Sequence, residues 1–172
     1  MGISELTFEY FLHGYDAELE RSRALDSKTA NLMGFTSVLS GLMIPFSAIA
    51  EGELHAVLES HPILSLCVKL LFILAVLLLF AALVCFYLSS RVRRYKQMLR
   101  YTKEDIAKWD ETGEAKVREM LTERLQKFWQ DNKDQNDNKA AWTQQGFLLL
   151  MLGGGAVVLS VCGIIAASIM AA

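Results

Sequence analysis

The sequence has almost nothing with which to run a reaction. Its three histidines, His13, His55 and His61, lie far apart and form no set with metal-ligand spacing. The three cysteines, Cys67, Cys85 and Cys162, sit singly inside apolar stretches, where a thiol packs as a small apolar group. No serine-centred elbow, HExxH pair or P-loop occurs, and there is no internal repeat. The carboxylates of residues 104–137 alternate with bases, as on a solvated helix face. We therefore expect a non-enzymatic protein with no cofactor, no metal and no direct nucleic-acid partner.

Lysine and arginine are also missing where they are informative. Thirteen of the seventeen fall between Arg91 and Lys139, three precede the first apolar stretch, and the segment 51–61 has none. What the chain does have is apolar length: 53% of its 172 residues are hydrophobic, and its mean hydropathy is +0.29. Stretches from about Ala30 to Ala50, Pro62 to Leu88 and Gly146 to Ala172 can each cross about 30 Å of hydrocarbon, which takes roughly 20 helical residues. The first stretch follows an acidic leader (Glu5, Glu9, Asp16, Glu18, Glu20) and not a basic one, so it is expected to stay as structure.

The expected fold is all-α, an integral membrane protein with three transmembrane helices and a helical cytoplasmic layer. Its segments are a cytoplasmic amphipathic helix over 1–26, a first span over 27–50, an external hairpin over 51–61 and a second span over 62–90. A cytoplasmic helical segment over 91–140 and a third span over 141–172 complete it. The charge asymmetry puts the N-terminus in the cytoplasm and the C-terminus outside, in a prokaryotic inner membrane. Ser4 is a plausible N-cap for the first helix, and "TKED" at Thr102–Asp105 resembles a capping box before a short helix with Ile106 and Trp109. Arg91, Arg93 and Arg94 are placed to meet headgroups of anionic lipid. The polar run "QDNKDQNDNK" reads as a linker to Trp142, an interfacial anchor.

Four groups of residues are candidates for function. Arg21, Arg23, Asp26 and Lys28 form a charged collar at the mouth of the first span, with Arg23 and Asp26 three apart and able to pair. The collar either fixes helix depth or acts as an anion site or gate. Asn31, Ser37, Gly41 and Pro45 make the first span polar and kinkable, so it is either buried between neighbours or lines a water-filled path, with Pro45 removing a backbone donor. Lys69, a charge inside the second span, either snorkels outward or, in a ring, favours anions. Gly153, Ala156, Ser160, Gly163 and Ala167 make a small-residue packing face, within one chain or between chains. Val117, Leu121, Leu125 and Phe128 make an apolar stripe that needs a partner, either the N-terminal helix or another subunit.

The run from Arg23 through "D-S-K" at Asp26–Lys28 to Ala30 and Gly34, followed by paired apolar spans, is similar to the start of small transmembrane effectors of bacterial antiphage defence. These are the Pycsar transmembrane effectors and related two-helix effectors of nucleotide-signalling operons. The resemblance covers roughly residues 15–90. It implies an oligomeric effector that forms a pore or perturbs the membrane, contacts lipid and is switched by a soluble cytoplasmic protein or nucleotide signal. The third span and the long charged segment before it depart from that pattern. They fit equally a membrane scaffold whose cytoplasmic helices recruit a soluble protein.

Overall fold

The computed structural model describes residues 5–52, 62–91 and 113–171. Ser4, the hairpin from residue 53 onward, Arg93, Arg94, the Thr102–Asp105 box, Ile106 and Trp109 lie outside the described residues. Within them the protein is all-α, with three helices and no strand: α1 (Glu5–Gly52), α2 (Pro62–Ser90) and α3 (Glu114–Ala171). Gly113 opens α3 from the left-handed region, at φ 86°, where a side chain would be strained. Its carbonyl accepts from the Val117 N–H at 3.2 Å and closes the first turn.

The length of α3 corrects two expectations. Residues Gln130–Lys139 are helix and not a linker, and the third apolar stretch is the C-terminal part of the same 58-residue helix. A polar decamer without apolar periodicity looks like a loop because it offers no core face. Here its buried face is itself polar: Asn132, Asn136 and Lys139 are all buried. Likewise α1 passes from its amphipathic part into its apolar part, and through Pro45, as one helix of 48 residues.

Buried positions repeat every seven residues. In α1 they are Tyr15, Ser22, Thr29, Thr36 and Met43. In α3 the positions Leu125, Asn132, Lys139, Gly146, Gly153 and Ser160 follow the same step, interleaved with Asn136, Thr143 and Leu150. In α2 they are Val68, Ala75, Ala82 and Ser89, interleaved with Leu79 and Phe86. A seven-residue step runs slightly short of two turns at 3.6 residues each, so helices that keep such seams in contact wind gently left-handed.

The chain divides into two compact units, Met1–Ser27 with Arg91–Ala140, and Lys28–Ser90 with Ala141–Ala172. In the first, α1 and α3 run parallel: Trp129 packs on Gly14, Asn136 bonds Glu18, and Lys139 meets Asp26. Tyr10, Phe11 and Trp129 form an aromatic cluster with centroids 5.5 to 6.1 Å apart. In the second unit, α2 and α3 run antiparallel and interlock large side chains with glycines. Phe86 covers Gly146, Leu79 covers Gly153 and Val68 covers Gly163. A Cβ at Gly146 would stand 2.6 Å from the Phe86 ring, so only glycine lets these helices approach so closely.

By length and composition, α2 and α3 each hold a stretch able to cross a membrane. Only 28% of each stretch is buried within the protein, unlike the mostly buried core helix of a soluble domain. Leu66, Leu70, Ile73, Leu77 and Phe80 on α2, and Leu148, Met151, Leu152, Leu159 and Ile165 on α3, are all exposed.

Candidate functional site

In the collar, Arg21 and Asp26 each find a partner across the helix pair. Asp26 pairs with Lys139 on α3 at 2.6 Å, which corrects the expected local pairing with Arg23. The partner was unreadable because Lys139 lay in the supposed linker, more than a hundred residues away. The Lys139 side chain is only 4% exposed and that of Asp26 is 51% exposed, so the lysine is held inside while its counter-charge faces water. Arg21 reaches Asp137 on α3 at 2.7 Å and Glu18 on its own helix at 3.5 Å. The hydrogen bond to Asp137 raises the Arg21 guanidinium above its ordinary value; partial desolvation works against this, and the charges of Glu18 and Asp137 add to it. Asn136 Nδ2 donates to both the Glu18 carbonyl (2.7 Å) and its carboxylate (2.8 Å). Arg23 and Lys28 are exposed.

Three hydroxyls meet near the end of the second unit. Thr29, Ser89 and Thr143, one from each helix, are buried and hydrogen-bonded together: Ser89 to Thr143 at 2.8 Å, Thr29 to Thr143 at 3.0 Å and Thr29 to Ser89 at 3.5 Å. The sequence reading missed this layer, although the seven-residue step from Tyr15 to Met43 was there to find. Farther along α1, Thr36 donates to its own helix at the Leu32 carbonyl, 2.7 Å away. Met43 joins Ala75, Leu79, Ala82, Phe86, Leu150 and Ala156 in the apolar core.

The polar residues of α1 thus divide between two faces. Thr29 and Thr36 point inward, whereas Asn31, Ser37, Gly41 and Pro45 are exposed. Gly34 and Gly41 have nothing within 4 Å of where a Cβ would stand. Lys69 is exposed on α2. Gly153, Ala156, Ser160 and Gly163 pack inside the chain: Gly153 and Gly163 lie against α2, Ala156 and Ser160 are buried, and Ser160 donates to the Ala156 carbonyl. The side chain of Ala167 lies outside the described residues. The stripe proves to be covered by the chain itself, with Val117 and Leu125 buried and Leu121 and Phe128 half-buried, so it is not an open docking surface.

Among the described residues, no group of three or more His, Cys, Asp or Glu is placed to hold a metal ion. No family model matches the chain, and neither a curated protein nor a solved structure matches it.

Proposed function

We propose that this chain is a three-span integral membrane protein that self-associates through α1 and, without enzymatic chemistry, forms a pore or perturbs the membrane. The N-terminus is cytoplasmic and the C-terminus external in a prokaryotic inner membrane, since Arg91–Lys139 holds most of the positive charge. The observation that carries the reading is the outward face of α1. Ser27, Asn31, Gly34, Val38, Gly41 and Pro45 are all exposed and follow one another at alternating steps of three and four. The outward faces of α2 and α3 present leucine, isoleucine, valine and phenylalanine, which suit hydrocarbon. A glycine-lined face with an asparagine suits close helix contact or water instead. On a ring of α1 helices, Asn31 and Ser37 are wetted or paired while α2 faces lipid.

A role in antiphage defence, with a cytoplasmic protein or nucleotide as the switch, rests on the resemblance at Arg23, Asp26, Lys28, Ala30 and Gly34. The scaffold alternative has less to dock on, because Val117 and Leu125 of the stripe it would use are buried and Leu121 and Phe128 are half-buried. Purified protein in planar bilayers tests the proposal: discrete conductance steps are expected, with an oligomeric mass in detergent. Closed bilayers together with a monomeric mass would reject it.

A further inference from the structure

The hydroxyl layer stands out because α2 and α3 do not need it to set their mutual register. Phe86 into Gly146, Leu79 into Gly153 and Val68 into Gly163 already fix α2 against α3, since sliding either helix would drive a ring or a branched side chain into backbone. A layer of valine and alanine at Thr29, Ser89 and Thr143 would fill similar space. Replacing mutually bonded polar groups by apolar ones of the same shape costs a fold little and often stabilises it. Hydroxyls have one property that an apolar layer lacks: they exchange each other for water at small cost. Opening the adjacent core of Ala75, Leu79, Ala82 and Leu150 would instead wet apolar surface.

The layer's position matches that property. Thr29, Ser89 and Thr143 lie within three residues of Lys28, Ser90 and Ala141, where the three helices enter or leave the second unit. We infer that this layer is a hydration gate, the point at which the three-helix bundle parts and admits water while the glycine-locked core beyond it stays closed. The inference does not depend on oligomerisation or conduction.

The test uses the full chain in lipid vesicles with Cys67, Cys85 and Cys162 replaced by alanine. Ser89→Cys then reports on the layer and Ala82→Cys on the core two turns farther in; both positions are buried. A small hydrophilic methanethiosulfonate reagent should modify Ser89→Cys at least about tenfold faster than Ala82→Cys, because local opening sets the rate. Adding Thr29→Val and Thr143→Val should slow Ser89→Cys by about tenfold or more without lowering the thermal midpoint, because the apolar layer no longer opens. An unchanged labelling rate in that background would overturn the gate. Loss of the fold in both the double variant and Thr29→Val alone would also overturn it, since the layer would then be a structural lock.

Discussion

Glycine 146 and lysine 139 show how much of this fold depends on single side chains meeting across helices. A methyl group at Gly146 would collide with Phe86, which is fully buried and has nowhere to move. Gly146→Ala should therefore cost about 1–3 kcal/mol of stability by overpacking, read as a lower thermal midpoint in detergent. Phe86→Leu in the same chain should recover part of the loss, whereas an additive double variant would show that the contact is not the cause. Lys139 poses the opposite problem, a buried cation whose partner Asp26 stands half in water. Asp26→Ala should cost about 1–3 kcal/mol, the range for a hydrogen bond to a charged group. Lys139→Met in the Asp26→Ala background should return much of that, because a buried cation that has lost its counter-charge is worse than an apolar side chain. If Lys139→Met only deepens the loss, the lysine stabilises through something other than Asp26.

At the scale of the helices, the two glycine sets of α1 and α3 should respond differently to the same change. Gly153 is filled by Leu79, so Gly153→Leu should destabilise the second unit. Gly34 and Gly41 face open space, so Gly34→Leu or Gly41→Leu should leave the thermal midpoint nearly unchanged and weaken self-association. Equal effects on the midpoint would remove the distinction between an inner and an outer face. The helices themselves were readable where apolar residues mark them: α2 and the apolar parts of α1 and α3. The helical run at Gln130–Lys139 was not readable, because an apolar seam is the usual helix signal and this one is made of Asn132, Asn136 and Lys139, with Asn136 bonded to Glu18 and Lys139 paired with Asp26. The same limit hid the hydroxyl layer and made Arg23 look like the partner of Asp26. The small-residue face of α3 was legible as a packing surface, but only the placement of Leu79 and Val68 assigns it to the chain's own interior.

At the scale of the whole molecule, charge asymmetry and the outward face of α1 make separate claims that fail separately. The topology predicts that a cysteine placed at Glu53 reacts with an impermeant thiol reagent from outside intact cells, while one at Lys133 stays unlabelled. Equal labelling would leave the three-span arrangement without support. The central claim, that copies join through α1 around a common axis, predicts that the outer-face residues of all copies turn toward that axis at the same depth, because copies inserted alike share one orientation. Disulfide cross-linking in native membranes tests it most directly, in a chain whose own cysteines are replaced by alanine. Gly41→Cys should form covalently linked species under mild oxidation, and Phe80→Cys, exposed on the outward face of α2, should remain monomeric. Cross-linking at position 80 with none at position 41 would contradict the account.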